Sequence, residues 1–227
     1  MNEMITDINK KRIQLVDAAL EKANSGSTSL ASGCFNIPGM SGRKTRIFLH
    51  ELVGAVGGRY LEIGVWAGST FCSALNNSST NQYSIACDNW SEFGGPKDKF
   101  FANLNEFVDL ENNKIGFLEM DYRSITKKDL MIDKFGKFPI YLFDGPHKFK
   151  DQYDAVNDFL QYLEDDFVFL CDDWNWTSDV EDGTRKAFED NNLVIHKEWV
   201  MTTPGNIDND HQGWWNGYYA CVASKTK

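Results

Sequence analysis

The sequence has no long hydrophobic run, few prolines and histidines, and a shortage of positive charge. Each shortage excludes something. The longest apolar stretches, such as Phe138 to Phe143 with Pro139 inside it, are strand-length and far below the roughly 18 residues that span a bilayer. No transmembrane helix is expected. Lys10, Lys11 and Arg12 lead into Ile13 to Leu20, but Gln14 and Asp17 break that stretch as a secretory hydrophobic region, which predicts a cytoplasmic protein. Twenty-three Lys and Arg against 33 Asp and Glu leave a formal charge of -10. That charge repels both a nucleic-acid backbone and an anionic membrane surface, so neither is expected as a partner. Cys34, Cys72, Cys87, Cys171 and Cys221 are odd in number and never form CxxC; they read as buried thiols in a reducing compartment. His50, His147, His196 and His211 share no zinc-ligand spacing, and neither GxxxxGK[ST] nor GxSxG occurs.

What is present is enough for one core, since a chain of 227 residues can bury roughly 70% of its unfolded surface. Ile8, Leu15, Val16, Ala19 and Leu20 recur at helical spacing, and the Ser, Gly and Ala-rich stretch Asn24 to Ser32 reads as a hinge. The boundary this suggests separates an N-terminal helical segment, residues 1–40, from a domain spanning residues 41–227. The segment's place in sequence suits a lid or a contact within a homo-oligomer. Ser41 is positioned to cap a helix carrying Phe48, Leu49, Leu52, Val53 and Val56, with Gly54, Gly57 and Gly58 as caps before the next strand.

From Tyr60 the pattern alternates. Strand-like runs at Tyr60 to Val65, Tyr83 to Asp88, Ile115 to Glu119, Ile140 to Asp144 and Phe167 to Asp172 are separated by helix-like stretches. Near-continuous apolar strands joined by crossover helices predict a doubly wound, mostly parallel α/β sheet. Leu193 to Met201 and Trp214 to Val222, joined by a polar loop over Thr202 to Gly213, bring the strands to seven and should pair antiparallel.

In such a sheet ligands bind beyond the carboxyl ends of the strands. The first strand runs into Glu62-Ile63-Gly64-Val65-Trp66-Ala67-Gly68-Ser69-Thr70. Its glycines suit either a close backbone approach to a ligand or a plain βα turn. Asp88 ends the second strand, where a carboxylate can accept from both ribose hydroxyls of a nucleoside or serve as a turn residue. Asp121, after the third strand, fits an adenine amino group or a turn equally well. The fourth strand gives Asp144-Gly145-Pro146-His147 and the fifth gives Asp172-Asp173. Three clustered carboxylates repel unless a cation sits among them, and a hard divalent ion such as Mg²⁺ prefers oxygen ligands; the plain alternative for Asp172-Asp173 is a helix N-cap. His147 is a candidate base, a further ligand or a solvent-facing residue. Asp165-Asp166, entering the fifth strand, reads as a solvated turn. Trp90, Phe93, Trp174, Trp176, Trp214 and Trp215 suit either a pocket wall or the core.

These residues resemble the class I S-adenosylmethionine (SAM)-dependent methyltransferases. Glu62 to Thr70 is similar to their motif I, Asp88 to the ribose-binding acid, and the terminal antiparallel pair to their sheet extension. Asp144 to Phe149, with Asp154 and Asp172-Asp173, resembles the macrocin O-methyltransferase-like small-molecule group, and the resemblance covers roughly residues 40–222. It implies SAM contacts from Glu62, Gly64, Gly68, Ser69 and Asp88, with Asp121 near the adenine. It also implies a divalent metal at Asp144, Asp172 and Asp173, and methyl transfer to a hydroxyl of a sugar or aromatic small molecule. Within that reading Asp144 and His147 serve catalysis, with Lys148 as a weaker candidate base. A nicotinamide-dependent oxidoreductase or epimerase shares the sheet and Asp88 but expects GxGxxG, and a phosphatase of the aspartyl-nucleophile type expects an acid where Pro146 stands. A non-catalytic nucleotide-binding module remains a further alternative.

Overall fold

A computed structural model describes residues 5–77, 83–203 and 210–226. Residues 1–4 of the N-terminal segment and residues 204–209 of the polar loop lie outside the described residues.

Thr6 accepts from the Asn9 amide to start α1 (Asp7–Ser25), and left-handed Gly26 ends it. α2 (Arg43–Val56) is closed by Gly57. The alternation follows: β1 (Tyr60–Ile63), α3 (Ser69–Leu75), β2 (Tyr83–Cys87), α4 (Lys97–Phe107), β3 (Lys114–Leu118), α5 (Ile132–Phe135), β4 (Phe138–Phe143), α6 (Phe149–Asn157), β5 (Leu163–Asp172), α7 (Ser178–Asp190), β6 (Val194–Met201) and β7 (Tyr218–Ser224). The strands form one sheet in the order β3-β2-β1-β4-β5-β7-β6. β7 runs antiparallel to both neighbours, and β1 to β5 pair in parallel. This is the seven-stranded Rossmann-like sheet expected from the pattern.

Both faces of the sheet are covered because strand side chains alternate. Ile140 and Leu142 of β4, with Val168 and Leu170 of β5, join the core that α1 to α4 cover. Tyr141, Phe143, Phe167 and Phe169 point to the other core, under α6 and α7. Phe169 meets Tyr141 and Phe188 edge-on at centroid distances of 5.7 and 5.5 Å; truncating such a side chain to Ala costs about 3–5 kcal/mol. All five cysteines are free and buried, and burial pushes the Cys34 and Cys87 thiols up to about 11 and about 12. No helix among the described residues is long and apolar enough to cross a membrane.

Three local readings are corrected, and the stretch after α1 carries contacts of its own. The N-cap of α2 is Gly42, because the Ser41 hydroxyl is engaged by Arg46 and Ser69. Gly54 lies inside α2 and is not a cap. The stretch after α1 is pinned: Thr28 donates to Glu51, Ser29 meets His50 at 3.0 Å, and the Ala31 amide donates to Asn76. Asp166 belongs to β5, where its carboxylate accepts from Asn9 and Ser224 and its carbonyl from Arg12. These contacts place α1 against the sheet, with Val16, Ala19 and Ala23 in the shared core.

Candidate functional site

Strand register aligns the acids. Ile63 pairs with Cys87 on one side and Phe143 on the other, and Phe143 pairs with Cys171. Gly64, Asp88, Asp144 and Asp172 therefore stand one residue past a common row, at the carboxyl rim where the sheet changes direction between β1 and β4. The ladder continues into this rim: the Gly64 amide donates to Cys87 and the Asp144 amide to Ile63. At Gly64, φ is +90° and an added Cβ would lie 1.9 Å from the Asp144 carbonyl oxygen, so the two strand ends approach closely enough to require glycine.

Asp88 joins two loops. Its Oδ2 accepts from the Trp66 amide at 2.8 Å and its Oδ1 from the Trp90 amide at 2.6 Å. Both tryptophans hold left-handed backbone, φ 42° and 46°, a conformation that costs of order 1–3 kcal/mol for such residues. The indoles complete the knot: Trp90 Nε1 donates to the Trp66 carbonyl and Trp66 Nε1 to that of Phe93. Each carboxylate oxygen retains a second lone pair for a ligand.

These loops border a cleft of about 440 Å³ lined by Gly64, Ser69, Asp88, Asp121, Asp144, His147 and Asp173. Asp88 and Asp144 thus share one rim and one cavity. Asp121 accepts from the Arg123 amide and pairs with its guanidinium at 3.1 Å, while Arg123 also reaches Asp151.

Burial, with Asp172, Asp173 and more distant carboxylates, raises the Asp144 pKa well above its ordinary range; burial and Asp173 do the same for Asp172. His147 Nε2 lies 2.7 Å from Asp173 Oδ2. Burial opposes charge on this imidazole, but the close Asp173 carboxylate and the surrounding acids outweigh it, and its pKa is raised. Asp173 has φ 55° and accepts from Asn216 at 2.7 Å. Among the described residues, donor atoms of Asp144, His147 and Asp173 fall within 4.8 Å of one another. The expected third ligand, Asp172, is not in this group; it is buried, and its Oδ1 has no hydrogen-bond partner.

Other expected residues stand apart from the cleft. Glu62 is fully buried and accepts from Tyr60 and Thr70, each at 2.5 Å, so it supports the floor. Its pKa is pushed up to about 7 by burial, against the two hydroxyl donors. Gly68 is the left-handed N-cap of α3, beneath the cleft lining. Lys148 is exposed and precedes α6, outside the lining. Of the aromatics, Phe93, Trp176 and Trp215 border the cleft, whereas Trp90 packs on Phe100 and Phe101, Trp174 stacks on Tyr219 and Trp214 meets Phe48. The structure adds Gly39, Met40, Ser41, Arg123 and Asn216 to the lining. No periodicity or motif marks these positions, because chain segments distant in sequence deliver them.

The fold has counterparts among solved structures. Cofactor-bound Rv0187 from MTB superposes with a TM-score of 0.55 at 14% identity, covering 94% of this chain and 91% of that one. The O-methyltransferase from Bacillus cereus, in complex with SAH, gives 0.53 at 13%, covering 98% and 93%. SAH-bound methyltransferase PaMTH1 from Podospora anserina gives 0.52 at 12%, covering 100% and 91%. At these identities the likeness shows a shared fold. No curated protein sequence matches significantly. A family model described as a methyltransferase domain matches residues 61–174, half of the 227-residue chain. From Leu61 of β1 to Trp174 just beyond β5, the match spans the strand ends that build the cleft, and the chain belongs to this methyltransferase-domain family.

Proposed function

We propose that the protein transfers the methyl group of SAM to a hydroxyl oxygen of a small molecule, with a divalent cation such as Mg²⁺ assisting. The observation that carries this reading is that Asp88 and Asp144, from strands on either side of β1, line a single cleft above Gly64. The Asp88 carboxylate accepts the ribose hydroxyls with the lone pairs its two loop amides leave free, and Asp121 accepts from the adenine amino group. Gly64 lets the main chain come close to the nucleoside, and Glu62 fixes Thr70 at the start of α3 from below.

The donor set also fits a hard cation. Asp144 and Asp173 supply carboxylate oxygens, and the pKa values of Asp144 and Asp172 are raised first by burial and then by the neighbouring carboxylates, whose repulsion a cation would relieve. When bound, SAM supplies an electrophilic methyl for in-line attack, and the cation would lower the cost of deprotonating the acceptor hydroxyl. His147 engages Asp173 through Nε2, so Nδ1 is the atom left to take the acceptor's proton. Phe93 and Trp176, 64% and 50% exposed, offer flat apolar surface at the mouth for a sugar or aromatic acceptor. The run from Asp144 to Phe149 with Asp172-Asp173 supports kinship with macrocin O-methyltransferase-like enzymes.

Thermal unfolding with SAM, S-adenosylhomocysteine (SAH), NAD and NADP, each with and without Mg²⁺, tests the reading, because a ligand of the native state raises Tm. SAM and SAH should stabilise the protein and Mg²⁺ should add to the effect. Stabilisation by NAD or NADP alone would refute the proposal.

A further inference from the structure

One wall of the cleft, residues 39–41, precedes α2 and is held by a side chain outside the cleft lining. Arg46, in the first turns of α2, is only 5% exposed. Its Nε donates to Ser41 Oγ at 3.1 Å, and its Nη1 donates to the carbonyls of Cys34 and Ile37 at 2.8 and 2.9 Å. All these acceptors are uncharged and belong to residues 34–41; no carboxylate pairs with Arg46 among the described residues. Burial lowers its pKa to about 10. An inward position on α2 would take Leu or Met without this desolvation cost, so stability alone does not explain a guanidinium there.

The contacts lead onward to the cleft. Ser41 Oγ lies 3.0 Å from Ser69 Oγ, at the start of α3. Gly39 packs so tightly that an added Cβ would stand 2.0 Å from the same Ser69 oxygen. At the other end, the Arg43 and Lys44 amides donate to the His211 and Gly213 carbonyls. The segment is therefore tied on both sides.

We propose that Arg46 is a positioning residue for the methyl donor: it locks residues 39–41 against Ser69 as a fixed wall, so donor affinity depends on a side chain that does not line the cleft. The proposal rests on the SAM reading above and assigns the segment a fixed role in place of a hinged lid. Calorimetric titration of SAH into the wild-type chain and four variants tests it. Arg46→Gln removes the fork of donors, Arg46→Lys keeps charge and one donor group, and Gly39→Ala displaces the wall with Arg46 intact. Val53→Ala, about two turns further along α2 in the core, controls for general loss of stability. Arg46→Gln and Gly39→Ala should weaken SAH at least tenfold, Arg46→Lys should recover part of the loss, and Val53→Ala should lower Tm with affinity within twofold of wild type. Affinity within twofold of wild type in Arg46→Gln would overturn the proposal, as would an equal loss in Val53→Ala. If Arg46→Gln does not fold, Arg46→Lys and Gly39→Ala decide the matter by the same criteria. Absence of SAH binding by the wild type would refute the donor reading itself, and this proposal with it.

Discussion

Replacing Asp88 by Ala should damage stability and donor binding together, and the structure sets the scale of both. The carboxylate accepts amide hydrogen bonds at 2.8 and 2.6 Å from two residues held in left-handed backbone. A hydrogen bond to a charged group contributes about 1.5–3 kcal/mol. Asp88 is half-buried, so water replaces part of what is lost, and the lower end applies: about 3 kcal/mol for the pair. In a chain of this length 1 kcal/mol moves Tm by about 2–4 °C, which predicts a fall of about 6–12 °C. Losing two ribose contacts of similar strength should weaken SAH roughly a hundredfold. Asp88→Asn should fall between, because its amide keeps one acceptor but turns a donor toward the second backbone amide. Calorimetric unfolding and SAH titration measure the two effects separately. An Asp88→Ala variant with wild-type Tm would refute the clasp, and one with wild-type SAH affinity would remove Asp88 from the donor site.

Glu62→Gln should change the pH dependence of stability. A folded pKa near 7, above the unfolded value, stabilises the fold at acid pH, and that contribution is lost as pH rises through 7. By pH 8 the loss amounts to about 3 kcal/mol. Tm of the variant relative to wild type should therefore climb between pH 5 and 8, and a constant difference would contradict the assignment. Gly64→Ala should abolish soluble folded protein, because its Cβ meets the Asp144 carbonyl at 1.9 Å and its φ is left-handed; a folded variant seen by circular dichroism would disprove the close approach. Asp144→Asn removes a carboxyl whose ionisation burial and the neighbouring Asp172 and Asp173 oppose, so metal-free Tm relative to wild type should climb as pH rises. Any Mg²⁺-dependent rise in Tm should vanish in this variant, and its persistence would exclude Asp144 as a ligand.

Much of the fold was legible because apolar runs of strand length alternate with helical periodicity, and because the last two runs leave no room for a crossover helix. The rim acids were legible for the same reason: once β2, β4 and β5 are placed, Asp88, Asp144 and Asp172 fall at their carboxyl ends. What could not be read was the partner of each acid. Glu62 sits in motif I, yet the hydroxyls of Tyr60 and Thr70 take it beneath the floor. His147 takes a place in the cluster of donor atoms that Asp172 was expected to hold, because the loop after β4 folds its ring onto Asp173. Residues 39–41 reach the cleft only through tertiary packing by Arg46, a contact that no local pattern encodes.

A crystal structure of the protein soaked with SAH and Mg²⁺ tests the account most directly. It should place both ribose hydroxyls on Asp88, the adenine beside Asp121, and the sulfur near Gly64, with the ion against Asp144 and Asp173. A nucleoside bound elsewhere, or a cleft that stays empty at saturating SAH, would contradict it.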